Sequence, residues 1–192
     1  NIVDGQRESR QIAQKDCQFA YRSSVFKGQP EWIIVSVVLR LSKLPLIESS
    51  YPELQSYLQN LPIASPGPQD VADCVIALRS SKLPNPAEFA NAGSFFKNPV
   101  VVKEVGFAMQ ELGFKTFAHG EDYKLSAAQL IDRAGWKGMR RGDVGCWFQQ
   151  PLVIVNYGAA NFADILSFAE DVAHSVFEQY QIQLELEPSV LP

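Results

Sequence analysis

An α+β fold is predicted by three features of this 192-residue chain. Strand-like segments crowd residues 1–42, segments with helical spacing fill most of the rest, and the two never alternate as regular βαβ units. The chain opens with a strand-like Asn1-Ile-Val3 running into the turn Asp4-Gly5. Residues 17–21 read as a second strand. Residues 31–41 read as a buried third, because Trp32-Ile-Ile-Val-Ser-Val-Val-Leu39 is β-branched and lies between Gly28 and Pro45. Residues 44–68, rich in Pro, Ser and Gly, read as an excursion or linker. Residues 69–80 carry Val71, Cys74, Val75 and Leu78 at helical spacing behind Pro68, a first-turn residue. Leu83-Pro-Asn-Pro86 is then extended, since two prolines forbid helix continuation.

In the second half, residues 93–100 are strand-like and residues 103–112 read as a helix stopped by Gly113. Residues 126–134 form a second helix, stopped by Gly135, and residues 152–156 a short buried strand. Residues 161–180 are a long helix with Asn161 as its N-cap, and residues 182–187 alternate as an exit strand.

Hydrophobic residues make up 46% of the chain and charged residues 20%, the balance of an ordinary globular protein. Seventeen basic residues against 21 acidic ones give a net charge of -4, which argues against nucleic acid as a partner. No apolar run reaches the roughly 18 residues of a membrane span. Cys17, Cys74 and Cys146 are too few and too scattered for a disulfide framework, and with only His119 and His174 available a zinc site is not expected. This cysteine usage points to a reducing compartment. The first residue is Asn, and the chain reads as a fragment whose N-terminal part is absent.

Chemistry concentrates in Asn91-Ala-Gly-Ser-Phe-Phe-Lys-Asn-Pro99, where a hydroxyl, a lysine and two amides surround Gly93 within a frame of aromatics. A core strand does not need so many polar groups, nor a solvent loop two adjacent phenylalanines. Ser94 is either a small turn residue or a proton donor. A serine hydroxyl is too weak an acid for most substrates, but suffices toward a strongly basic carbanion. Nucleophilic catalysis is disfavoured, because Gly-x-Ser-x-Gly is absent around Ser94. Lys82, in Arg79-Ser-Ser-Lys-Leu-Pro84, forms a second basic cluster at a helix end. Gly135-Trp-Lys-Gly-Met-Arg-Arg-Gly142 lacks phosphate-loop spacing and reads as a basic surface turn or an anion contact. Glu185 and Glu187 share a face if Leu184-Glu-Leu-Glu187 is a strand. Tyr21-Arg22-Ser23-Ser24 is a turn or a polar site.

Taken in order, several stretches resemble the UDP-N-acetylenolpyruvoylglucosamine reductases, flavoenzymes of bacterial peptidoglycan synthesis. They are Cys17-Gln-Phe-Ala-Tyr-Arg-Ser-Ser24, Arg79-Ser-Ser-Lys-Leu-Pro-Asn-Pro86, Ala90-Asn-Ala-Gly-Ser-Phe-Phe-Lys-Asn-Pro-Val-Val101, Lys124-Leu-Ser-Ala-Ala-Gln-Leu-Ile-Asp132, Lys137-Gly-Met139, Gln149-Gln-Pro-Leu-Val-Ile-Val-Asn156 and Leu184-Glu-Leu-Glu187. The resemblance implies a cytoplasmic, monomeric reductase in which NADPH reduces FAD and the flavin reduces UDP-N-acetylglucosamine enolpyruvate to UDP-N-acetylmuramate. It implies that Ser94 delivers the proton and that Glu187 polarises the enolpyruvyl group. Tyr21, Lys82, Asn98 and Gln150 would hold the UDP-sugar, mainly around its diphosphate. Residues 1–82 would be the latter part of an FAD-binding domain, 83–183 a substrate-binding domain and 184–192 a tail carrying Glu187. Most of the FAD-binding residues would lie upstream, so this chain alone is expected to be inactive. Ala127-Ala-Gln129 departs from an alanine-glycine-tryptophan stretch common in the family. The alternative is a non-catalytic UDP-sugar-binding module that shares this ancestry.

Overall fold

The computed structural model describes residues 1–43, 51–62 and 65–190. The chain divides into two compact units, Asn1–Leu46 and Ile47–Pro192. The mixture of helices with antiparallel sheets bears out the α+β class.

The first unit is built on a three-stranded sheet in which β1 (Ile2–Val3) lies between β2 (Ser9–Arg10) and β3 (Ile33–Ile34). Both pairings are antiparallel, with Ile2 opposite Arg10 on one side and Ile34 on the other. Asp4, 5% exposed, closes the β1–β2 turn by accepting the N–H groups of Gln6 and Glu8, each at 3.0 Å, and it pairs with Arg10. These bonds to the charged form, led by that from Glu8, hold the Asp4 carboxyl below the usual aspartate range against the opposing effect of burial.

Two strand expectations fail in this unit. Residues 14–17 form a 3-10 turn, and the chain at Ala20–Ser23 is a tight reversal rather than a strand. Only Ile33–Ile34 of the expected buried strand 31–41 is paired as a strand, and Val37, Val38 and Leu39 are 70–82% exposed. The strand composition is present, but among the described residues β3 is bonded to β1 alone and no layer covers the apolar side chains beyond it.

The second unit begins with α1 (Pro52–Gln59) packed on α2 (Pro68–Lys82). Sequence periodicity found α2 and missed α1. Much of the expected excursion, residues 44–50 and 63–64, lies outside the described residues. The Asp70 carboxylate accepts the Gly67 N–H at 2.7 Å, which fixes the start of α2 behind Pro68.

Two antiparallel sheets follow. One has the order β4 (Ala90–Ser94), β10 (Val153–Asn156), β9 (Val144–Cys146), β8 (Arg140–Arg141). The other has β7 (Asp122–Leu125) between β5 (Val100–Val101) and β6 (Thr116–His119). The remaining helices are α3 (Lys103–Glu111), α4 (Ala127–Arg133) and α5 (Phe162–Tyr180). Asn161 caps α5 reciprocally: its side chain accepts the Asp164 N–H at 3.1 Å, and Asp164 accepts the Asn161 N–H at 2.9 Å. Phe168, Ala169, Val172 and Val176 form the buried stripe of α5, which packs over β9 and β10. Leu125 from β7 and Leu130 and Ile131 from α4 join the same core at 0% exposure. Gly113 and Gly135, which end α3 and α4, have φ of 79° and 86°, a left-handed conformation that glycine adopts without steric cost.

Candidate active site

The Asn91–Pro99 run is not one strand, as residues 93–100 were expected to be. β4 ends at Ser94, and pairing of Ser94 with Val153 and Asn91 with Val155 sets three residue steps against two. The extra residue is a β-bulge, and Gly93 sits in it at φ 72°. The Asn91 side chain braces the bulge, accepting the Gly93 N–H at 3.0 Å and donating to the Phe89 carbonyl at 2.8 Å. A bulge re-aims the side chain that follows it, and that side chain is the exposed hydroxyl of Ser94.

Phe95 is the joint of the site. Its N–H donates to the Leu152 carbonyl at 2.7 Å, and its carbonyl accepts the Glu187 N–H at 3.0 Å. Phe96 bridges antiparallel to Leu186, and the Lys97 N–H donates to the Glu185 carbonyl at 2.9 Å. The tail thus runs antiparallel beside Phe95–Lys97, joined by an isolated bridge rather than as the exit strand expected for residues 182–187. Its expected alternation holds: Ile182 and Leu184 are buried, whereas Gln183 and Glu185 are exposed. The backbone of Glu187 is therefore bonded to the residue that follows Ser94. Glu185 is more than a solvated edge, because its carboxylate pairs with Lys97 Nζ at 2.8 Å.

Gln150 lies in the turn before β10. Its carbonyl accepts the Val153 N–H at 3.0 Å, and Val153 is the residue opposite Ser94. Asn98 follows the joint, and its Oδ1 accepts the N–H of Ala127, the first residue of α4, at 2.9 Å. The N-cap of α4 is Ser126, whose hydroxyl accepts the Gln129 N–H at 3.3 Å. The Gln129 carboxamide in turn accepts the Lys115 N–H at 2.6 Å and donates to the Gly113 carbonyl at 3.2 Å. The departure at Gln129 therefore serves to tie α4 to the end of α3.

The other two expected ligands belong to other elements. Lys82 is the last residue of α2, and its ammonium pairs with Glu53 of α1. Tyr21 belongs to the first unit, in the reversal where Ala20 and Ser23 exchange backbone bonds of 3.0 and 3.2 Å. Arg22 beside it has φ 51°, uncommon for a residue with a side chain. The basic run at 135–142 proves to be a surface turn into β8: Arg140 pairs with Asp143 at 3.2 Å, and Arg141 pairs with Asp171.

Behind the site, burial pushes the Cys146 thiol of β9 up to about 12 and also raises the Tyr157 phenol, against the pull of Arg140 over its ring at 4.5 Å. The three cysteines are free and buried. No helix among the described residues is long and apolar enough to cross a membrane.

Comparison with known proteins matches residues 85–191 to the family model of the UDP-N-acetylenolpyruvoylglucosamine reductase C-terminal domain. The UDP-N-acetylenolpyruvoylglucosamine reductase of Alcanivorax borkumensis is 45% identical over 185 residues, which cover 94% of this chain and 53% of the relative. That of Pseudomonas syringae pv. tomato is 41% identical over 187 residues, covering 95% of this chain and 55% of the relative. A crystal structure of UDP-N-acetylenolpyruvylglucosamine reductase from Thermus caldophilus superposes with a TM-score of 0.52 at 25% identity, covering 93% of this chain and 47% of that one. The chain spans about half the length of the curated relatives it matches. With the family model covering more than half of its residues and the bulged Ser94 strand paired to the Glu187 tail, the chain belongs to the UDP-N-acetylenolpyruvoylglucosamine reductase family.

Proposed function

We propose that this chain carries the proton-donating and substrate-holding side of a cytoplasmic reductase that converts UDP-N-acetylglucosamine enolpyruvate to UDP-N-acetylmuramate. The observation that supports it most is the backbone bond from Glu187 to the carbonyl of Phe95, next to Ser94. FAD, reduced by NADPH, would supply the hydride. Among the described residues nothing lies within 4 Å of a Cβ built on Gly93 and Ser94 is exposed, so approach to the hydroxyl is open, as a flat hydride donor on one side would need. Residues for the rest of the flavin are expected mainly upstream.

The chemistry of the chain's own groups follows from charge. Hydride addition to the terminal carbon of the enolpyruvyl double bond places a pair of electrons on the carbon bearing the carboxylate. Ser94 Oγ–H gives its proton to that carbon, a transfer favoured by the basicity of the acceptor, and regains one from solvent. Glu187, held on the adjoining backbone, polarises the group as this charge develops. Gln150 and Asn98 offer amide donors to the diphosphate, and the family resemblance assigns further substrate contacts to Lys82 and Tyr21. In this reading residues 1–82 belong with the flavin-binding part, 83–183 with the substrate-binding part and 184–192 with the tail.

The test is Ser94→Ala in the full-length protein. Oxidation of the reduced flavin by the enolpyruvyl sugar should slow by roughly 10²- to 10⁴-fold, the usual worth of a general acid, while reduction by NADPH continues. A loss below about threefold would remove Ser94 from the reaction. A full-length protein that binds the UDP-sugar but no flavin would favour the non-catalytic module instead.

A further inference from the structure

The tail that carries Glu187 is self-similar. Leu184-Glu-Leu-Glu187 repeats every two residues, so a slip of two residues along Phe95–Lys97 would still present leucine inward and glutamate outward. Hydrophobic alternation therefore does not choose between registers, and the observed pairing is a single bridge, Phe96 to Leu186, rather than a ladder.

From the side chains flanking that bridge we infer that Lys97 is a positioning residue for Glu187, holding the tail in the register that sets Glu187 beside Ser94. Lys97 Nζ lies 2.8 Å from Glu185 Oε2, and the backbones of the same two residues are joined by a bond of 2.9 Å. A slip that moved Glu185 into the place of Glu187 would bring Gln183 opposite Lys97 and exchange an ion pair for a neutral amide. The opposite slip would bring Pro188 to the bridge in place of Leu186, where its compact ring does not match the leucine side chain it replaces. The far end of the segment is anchored by the α5 C-terminus, where the Gln181 N–H donates to the Phe177 carbonyl at 2.8 Å. Lys97 and Pro188 thus oppose the two directions of slip. The lysine side chain is 30% exposed and the glutamate 70%, so this is a partly screened pair with a modest effect.

The inference rests on the proposed role of Glu187, and the experiment separates the two. In the full-length protein, Lys97→Met and Glu185→Gln should raise hydrogen exchange in the 183–188 peptide by roughly two- to fivefold, the range of an exposed ion pair. They should slow oxidation of the reduced flavin by the enolpyruvyl sugar by a similar factor, with reduction by NADPH unchanged. The double reversal Lys97→Glu with Glu185→Lys should restore both readouts. Unchanged exchange in the single variants, or a reversal that restores neither readout, overturns the inference. Glu187→Gln is the separate control: if it leaves sugar-dependent oxidation unchanged, the role given to Glu187 fails, while the exchange data still judge the clamp.

Discussion

Asn98 caps α4 and, in the proposed reading, also binds the diphosphate, and substitution can separate the two. Its carboxamide oxygen accepts the Ala127 N–H at 2.9 Å, one of the donors that a helix start leaves without an intrahelical partner. The proposed ligand role needs instead the NH₂ end of the same group. Asn98→Ala removes both functions. Loss of a capping acceptor typically costs about 1 kcal/mol, which lowers Tm by about 1–2 °C in a protein of the relatives' length, about twice that of this chain. Asn98→Asp keeps an acceptor at a helix N-terminus, where negative charge is tolerated, so its stability should stay within about 0.5 kcal/mol of the parent. The aspartate offers no donor to the diphosphate and adds a like charge. Loss of one charge-assisted hydrogen bond, about 1.5–3 kcal/mol, weakens UDP-sugar binding by roughly 10- to 100-fold before repulsion is counted. Thermal unfolding and titration calorimetry on the full-length protein read the two effects independently. An Asn98→Asp variant that melts with Asn98→Ala would show that the bond to Ala127 is not what matters for stability. One that binds the UDP-sugar normally would remove Asn98 from the diphosphate site.

Three further outcomes follow from packing and charge. Asp4 has a lowered pKa in the folded chain, so the stability it contributes is present above its ordinary value of 3.8 and is lost as pH falls through the lower folded value. Amide protection in residues 1–43 should therefore weaken in acid, and Asp4→Asn should flatten that dependence; an identical acid profile in the variant would refute the assignment. The Cys146 thiol, raised from 9.0 to about 12, favours its neutral form in the folded state, so its contribution is lost as pH rises through 9.0 toward 12. Native protein at pH about 9 should leave Cys146 unmodified by a thiol reagent that labels it once unfolded, and equal labelling rates would contradict its burial. In α3, a Cβ on Gly106 would stand 2.7 Å from Cβ and Cδ2 of Tyr123, atoms too near the β7 backbone to swing away. Gly106→Ala should therefore lose about 1–3 kcal/mol by denaturant unfolding, although alanine favours a helix by about 1 kcal/mol. A stabilised variant would show that the helix can retreat from the sheet.

The long helix α5 was the most legible element, because an Asx cap, an acidic third residue and a wide apolar stripe all agree on its start and its face. Helices α3 and α4 were equally plain from the glycines that stop them. The hairpin β6–β7 was missed: Thr116–His119 and Asp122–Leu125 are short, polar and joined at Gly120, with no apolar run to reveal them. The stretch 31–41 misled because β-branched composition reports what a segment can bury, not whether a covering layer is present. At the candidate site, Ser94 and Glu187 were readable as residues, but the bulge that turns Ser94 outward was not. Its signals, Asn91 two residues before Gly93 and the unequal spacing against β10, need the partner strand to be interpreted.

The pairing of Phe95–Lys97 with the tail also sets an order of events. Lys97 and Glu185 are 88 residues apart, and closing a loop of that length costs about 4 kcal/mol by the (3/2)RT ln n rule. The described elements from β5 to α5 lie inside the loop and α1, α2 and β4 outside it, whereas the β6–β7 hairpin and the α4 cap form from neighbours close in sequence. Contacts of such long range are expected to form late. During folding, Glu187 would be joined to the residue after Ser94 only once this long loop has closed. A chain with its local turns and helices in place would still lack that junction. Assembly of the site is in that sense a report on completion of the fold.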